Sequence, residues 1–160
     1  MPPFDATEIY PGLYQGSVPI RGRFLSERGF SAVVLAAREH QPGPERFPGL
    51  RTVISAPLDD AGYPPTAGEK QTAKMAATAV ADIIRSGRRV LVTCHMGRNR
   101  SGLIVGLALA DLLPDANRHY IVETIREARP GALSNKWFET MIVTAPRGRT
   151  HRSRWPRPYR

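Results

Sequence analysis

Cysteine is almost missing from this 160-residue chain: Cys94 is the only one. A single thiol excludes an internal disulfide and every cysteine-rich metal fold. It also leaves no resolving partner, so oxidation of Cys94 beyond the sulfenic stage would not be intercepted within the chain. Long apolar runs are missing too. The longest, Leu103 to Leu113, is broken by Asp111 and is too short to cross a bilayer. No apolar segment follows a basic start, which predicts no secretory signal and a cytoplasmic protein. His40, His119 and His151 are isolated, with no metal-ligand spacing, and read as surface residues. No metal and no organic cofactor are expected.

Acidic residues are absent from positions 146–160, which hold six of the 23 basic residues. The net charge of +9 therefore divides unevenly, because residues 1–145 carry 17 basic (23 − 6) against 14 acidic side chains, or +3. The basicity belongs largely to the tail. That tail has almost no aliphatic side chains and cannot offset its chain entropy by burial, so 146–160 is expected to be disordered. Its arginines, with Trp155 and Tyr159, suit contact with RNA or an anionic lipid surface. An apolar content of 41% over the chain supports one compact core, so residues 1–145 are expected to form a single, monomeric domain.

Apolar periodicity and turn residues place the elements. Ile9 to Gly16 reads as a first strand bounded by turns, and Arg23 to Arg28 as a short helix stopped by Gly29. Ser31–Ala36 and Arg51–Ala56 read as buried strands, with irregular stretches at 42–49 and from Pro57 to Gly68. Residues 69–86 form an amphipathic pattern with Met75, Val80, Ile83 and Ile84 inward, closed by Gly87. A strand over Arg89–Thr93 precedes a helix over Ser101–Leu113 that is apolar nearly all round and suits a central position. Asp115 is placed to cap a further helix with Tyr120, Ile121, Val122 and Ile125 inward. A last helix runs from Asn135 to about Thr144, with Trp137, Phe138, Met141 and Ile142 inward. Strands come early and helices late, with at least one strand-helix-strand unit. The expected class is α/β, with a small, mainly parallel central sheet flanked by helices.

The lone cysteine stands at the end of the apolar strand, and Arg100 follows it after five residues, at the start of the helix. A loop that ends on a helix N-terminus attracts anions, because unpaired N–H groups and the dipole both favour negative charge. Residues His95, Met96, Gly97, Arg98, Asn99 and Arg100 can turn successive N–H groups toward a thiolate and three phosphate oxygens. Gly97 removes a side chain where backbone approaches ligand. The Arg100 fork can bind two phosphate oxygens at once. Ser101 either caps the helix or donates its hydroxyl toward the sulfur, and the two roles are compatible.

On these residues the chain resembles the cysteine-dependent protein tyrosine phosphatases, especially their small dual-specificity branch, whose signature is Cys-x5-Arg-Ser/Thr. Ile9-Tyr-Pro-Gly-Leu-Tyr-Gln-Gly16, Leu25 to Leu35, and Arg129-Pro-Gly-Ala to Phe138 are similar to other segments of that family. The resemblance spans roughly residues 8–145 and implies a phosphatase domain there. It implies hydrolysis of phosphate monoesters, phosphotyrosine and also phosphoserine or phosphothreonine in proteins, through a phosphocysteine at Cys94 with Arg100 holding phosphate. Pro57 to Pro65 looks like the family's acid loop, where the acid comes three residues after a proline; that selects Asp60 over Asp59 as general acid and base. Asn135 lies where the family often places an amide near the attacking water. One position departs: the family usually has histidine before the nucleophile, and here Thr93 stands there.

Other readings share parts of the pattern. Cys-x-x-Gly-x-Asn-Arg-Ser-Gly is also similar to the loop of cysteine-dependent RNA 5′-triphosphatases, and the basic tail would suit RNA or phosphoinositides as substrates. A non-enzymatic alternative is an inactive phosphate-binding module.

Overall fold

The computed structural model describes residues 4–146, so the tail beyond Pro146, with His151, lies outside the described residues. Five strands form one sheet: β1 (Ala6–Tyr10), β2 (Leu13–Gly16), β3 (Ala32–Ala37), β4 (Thr52–Leu58) and β5 (Val90–Thr93), in spatial order β1-β2-β5-β3-β4. β1 pairs antiparallel with β2, and every other pairing is parallel. The segment read as one strand over 9–16 is thus the end of the first arm, the turn and the second arm of a hairpin that starts at Ala6. Pro11 and Gly12, the latter at φ +83°, reverse the chain between the arms.

Alternation along β3 explains the layers. Ala32, Val34 and Ala36 point into the larger core, while Val33 and Leu35 join a smaller one with Leu25, Phe30, Phe47 and Leu91. The larger core is built with α2 (Ala67–Arg85), α3 (Arg100–Leu112), α4 (Arg118–Ala128) and α5 (Lys136–Val143); the smaller lies with α1 (Phe24–Glu27) and the turn after Pro44. α3 is the central helix, with ten consecutive residues, Ser101 to Ala110, buried. Each fully buried aliphatic side chain there contributes about 1.5–3 kcal/mol. No helix among the described residues is long and apolar enough to cross a membrane.

Five expectations change. Met75 is exposed because α2 buries the small side chains of Ala73, Ala76 and Ala77 with Val80 and Ile83, which lets it pack closely on α3. Tyr120 and Trp137 also face outward. The cap of α4 is Asn117, whose Oδ1 accepts from the His119 and Tyr120 N–H groups, and not Asp115. β4 continues through Pro57 to Leu58, since an edge strand tolerates a missing N–H donor.

Candidate active site

β5 lies at the middle of the sheet, and its C-terminal end delivers Cys94 to the crevice where open parallel sheets place their ligands. The next residues wrap into a loop that ends on α3 at Arg100. Cys94 is 4% exposed, so its thiol sits at the floor of that loop. Its Sγ lies 3.3 Å from Ser101 Oγ.

Three of the loop's carbonyls, those of Met96, Gly97 and Arg98, are claimed from outside. Arg129 Nε donates to Gly97 O at 2.7 Å, and its Nη2 reaches Met96 O at 3.5 Å. Gln15 Nε2 donates to Gly97 O at 3.1 Å and to Arg98 O at 3.4 Å, and the Leu133 N–H also donates to Arg98 O. In a trans peptide, N–H points opposite to C=O. Three carbonyls turned outward therefore leave the N–H groups of Gly97, Arg98 and Asn99 turned to the inner side, where an anion would be held. Leu133 takes φ +56° to make this contact, a strained conformation for a non-glycine residue beside the loop.

Gly97 is required by this scaffold. At φ +67°, a Cβ there would stand 2.5 Å from the carbonyl carbon of Gly16 and 2.6 Å from Arg129 Nη2. Arg129 in turn is fixed by Asp5, at 3.0 and 2.9 Å, and by Thr7 and the Gln15 carbonyl. The Arg129 hydrogen bonds hold the Asp5 carboxyl below its ordinary range, against a smaller opposing effect of burial.

Gln15 and Thr93 make different contacts near Cys94. Thr93 Oγ1 donates to Val34 O at 2.6 Å, a bond to β3 that directs its hydroxyl away from the loop. Gln15, fully buried on β2, sends its amide into the loop and donates at 3.3 Å to Ser101 Oγ as well. Its own Oε1 has no partner among the described residues. A buried amide that leaves an acceptor unsatisfied costs about 1–3 kcal/mol.

Arg100 is oriented by Glu39, which follows β3. Nη2 lies 3.1 Å from Oε1 and Nη1 3.4 Å from Oε2, with a further contact from Nη1 to Leu58 O. Glu39's own backbone N–H and then Arg100 hold its carboxyl below the ordinary range. His40 is not isolated: its Nε2 is 3.0 Å from His95 Nδ1. Glu39, His40 and His95 bring their ligand atoms within 4.8 Å of one another.

Asp60 stands on the other side of the loop. Oδ2 accepts from Asn99 Nδ2 at 3.0 Å and Oδ1 from Asn135 Nδ2 at 2.8 Å. Asn135 also caps α5, accepting from the Trp137 and Phe138 N–H groups. Asn99 does more than offer its backbone, because its Oδ1 accepts from the Asn135 N–H at 3.1 Å. Asp59 makes no such contact; its N–H donates to Glu69 Oε1 at 3.1 Å, while Glu69 closes a capping box with Thr66. These bonds, led by the Thr66 N–H, lower the Glu69 carboxyl below its usual range.

Two hollows flank the loop. One of about 470 Å³ is lined by residues including Asp5, Ser17, His95, Met96 and Arg98, and one of about 440 Å³ by Asp60, Asn99, Ser134, Asn135 and Trp137 among others. Arg98 is exposed on the rim of the first. The sequence reading missed Gln15, Glu39 and Arg129. Gln15 and Arg129 lie in segments quoted for their family likeness, yet nothing in their spacing marks them as loop supports.

No family model matches the chain, and no curated protein matches it. Solved structures do. Human DUSP28 superposes with a TM-score of 0.72 at 23% identity, covering 89% of this chain and 92% of its own. DUSP15 gives 0.70 at 21% identity, with 88% and 86% covered. The human tyrosine phosphatase-like serine/threonine/tyrosine-interacting protein gives 0.69 at 18% identity, with 88% and 94% covered. Strand order, the loop after β5 and helix placement thus converge on one conclusion: this chain has the fold of the dual-specificity phosphatases.

Proposed function

We propose that this protein is a cysteine-dependent phosphatase that hydrolyses phosphate monoesters of proteins, phosphotyrosine and also phosphoserine or phosphothreonine, through a phosphocysteine at Cys94. The observation that carries this is the loop around Cys94, whose Met96, Gly97 and Arg98 carbonyls are held outward by Gln15, Arg129 and Leu133, an arrangement that supports amides turned toward an anion bound above the sulfur. Likeness in fold to DUSP28 and DUSP15 supports the same chemistry. A sole thiol without a resolving partner fits a reducing compartment such as the cytoplasm.

In the first step Cys94 sulfur attacks phosphorus, the S–P bond forms, and the ester P–O bond breaks. Asp60 delivers a proton to the departing oxygen, because an alkoxide or phenoxide leaves slowly without one. Arg100 and the loop N–H groups bind the three non-bridging oxygens as charge shifts onto them. In the second step Asp60, now ionised, takes a proton from water; its oxygen bonds to phosphorus, and the S–P bond breaks to release inorganic phosphate. The Asn135 amide, 2.8 Å from Asp60, is placed to orient that water with it. Ser101 donates to the departing sulfur. Gln15 Nε2 supports that direction, since a hydroxyl oxygen that accepts from Gln15 keeps its proton for sulfur.

The test is a side-by-side rate comparison on a phosphotyrosyl peptide, a phosphothreonyl peptide, 5′-triphosphorylated RNA and a phosphoinositide, with Cys94→Ser as control. The expected result is turnover of the phosphopeptides, lost in Cys94→Ser with phosphate affinity largely intact. Faster release from RNA ends or phosphoinositides would reassign the substrate. Phosphopeptide binding by the native protein with no hydrolysis of any ester would make it a binding module.

A further inference from the structure

The His40–His95 pair plays no part in the chemistry above, and its geometry is specific. The ring planes are within 8° of each other, their centroids 5.1 Å apart, yet two nitrogens are only 3.0 Å apart. Rings in face-to-face contact could not combine that centroid distance with so short a nitrogen separation, so the imidazoles meet nearly edge to edge. One nitrogen donates and the other accepts. Two imidazole nitrogens that share a proton occupy almost the spacing they would have on a metal, since tetrahedral ligands about 2.0–2.1 Å from zinc stand roughly 3.3 Å apart.

The third donor is Glu39, adjacent in sequence to His40, with a carboxylate oxygen within 4.8 Å of both ring nitrogens. Glu39 and His95 are exposed and His40 half-buried, so modest side-chain rotation brings all three onto one ion, with a fourth position open to solvent. Two imidazoles and a carboxylate are a donor set that suits zinc better than magnesium or calcium, which prefer oxygen alone.

We propose that Glu39, His40 and His95 form a reversible site for a divalent cation of the zinc type. Glu39 also holds the Arg100 fork, at 3.1 Å. A dication that takes a Glu39 oxygen competes with Arg100 for that carboxylate and places positive charge beside the guanidinium. It also ties His95 down at the loop's rim. Occupation therefore disturbs the group that grips phosphate, and it slows turnover. This last consequence rests on the phosphatase reading; the binding itself does not.

The experiment separates the two. Zinc chloride is titrated calorimetrically into Cys94→Ser protein, in which the thiolate is no longer a competing ligand, and into the same protein carrying His40→Ala or His40→Gln. Circular dichroism checks that each variant is folded. One site retained in Cys94→Ser and weakened by at least about tenfold in both His40 variants is the expected result, as even outer-shell partners of a metal cost that much. With the thiol intact, zinc should inhibit turnover, a chelator should restore it, and His40→Ala should leave basal activity unchanged while moving inhibition to about tenfold higher zinc. Loss of binding in Cys94→Ser would place the metal on the thiolate and overturn the proposal. Unchanged affinity in both His40 variants would overturn it as well. Inhibition can fail to appear because no substrate is turned over, but the calorimetric result stands regardless.

Discussion

Gln15 Nε2 donates to Ser101 Oγ, and Ser101 Oγ faces Cys94 Sγ, each across 3.3 Å. The relay passes from β2 to Cys94 through a side chain with no exposure at all. Register puts it there: Gln15 pairs with Val92 in the parallel β2–β5 ladder, two residues before the cysteine. Thr93, the residue before Cys94, spends its hydroxyl on β3. The side-chain contact to Ser101 beside Cys94 thus arrives from the neighbouring strand.

Gln15→Leu tests that relay. It removes three donor contacts, to Gly97 O, Arg98 O and Ser101 Oγ, and also the buried Oε1 that lacks a partner. Stability should change little, because the orphan acceptor disappears with the donor. Turnover should fall about tenfold, equivalent to roughly 1.4 kcal/mol of transition-state stabilisation. The loss should lie in breakdown of the phosphocysteine, seen as a pre-steady-state burst that grows relative to the steady rate. An equal loss in both steps would assign Gln15 to loop geometry alone.

The Asp60 carboxylate is held by two amides, and Asp60→Asn replaces one of its acceptors with a donor that faces another donor. Beyond this local cost, the variant cannot protonate a leaving group. Substrates with poor leaving groups should slow by about 10²-fold or more, the ordinary range for general acid catalysis, and activated aryl phosphates only by a few-fold. A linear free-energy plot against leaving-group pKa measures the difference. A uniform decrease would make Asp60 structural.

Much of the fold was legible because its signals are local and periodic. β3 carries an unbroken buried run, α3 is apolar on every side, and Gly87 closes α2 as a stop signal should. The misplacements came where a different balance won: small alanines displaced Met75 from the inner face, and an edge position carried β4 past Pro57. For the candidate site, Cys94, Ser101 and Arg100 could be read from one continuous stretch. Glu39 and Arg129 could not, since they meet the loop from 61 and 32 residues away in sequence, through long side chains whose partners no periodicity encodes. His40 looked isolated for the same reason.

Acid should loosen the loop's supports in a defined order of cause. Asp5, Glu39 and Glu69 all have carboxyls lowered from their ordinary values of 3.8, 4.5 and 4.5, by Arg129, by Glu39's own backbone with Arg100, and by the Thr66 N–H respectively. Groups with depressed pKa values contribute stability that is present above the unfolded value and lost as pH falls through the folded one. Thermal stability should therefore hold from neutrality to about pH 5 and decline below about pH 4. Asp5→Asn should flatten part of that decline and lower the melting temperature near pH 7, where the ion pair with Arg129 is intact. A melting curve of Asp5→Asn as steep with pH as the parent's would remove Asp5 from the account.

Gly97→Ala probes the scaffold under the loop. A Cβ at this position meets the Gly16 carbonyl and Arg129 Nη2, and it forces an L-residue into a left-handed conformation at φ +67°. Backbone cannot yield as a flexible side chain can, so either β2 separates from the loop or Arg129 gives up its bonds to Gly97 O and Asp5. Each route lets the carbonyls of Met96 and Gly97 turn inward, toward the oxygens of a bound anion. The strain alone costs of the order of 1–3 kcal/mol, and phosphate binding should weaken by more than tenfold. Phosphate titration in the Cys94→Ser background measures the second effect without turnover. An alanine variant that melted lower but bound phosphate as before would show that Gly97 serves packing only and that the loop keeps its amides inward without the Arg129 clamp.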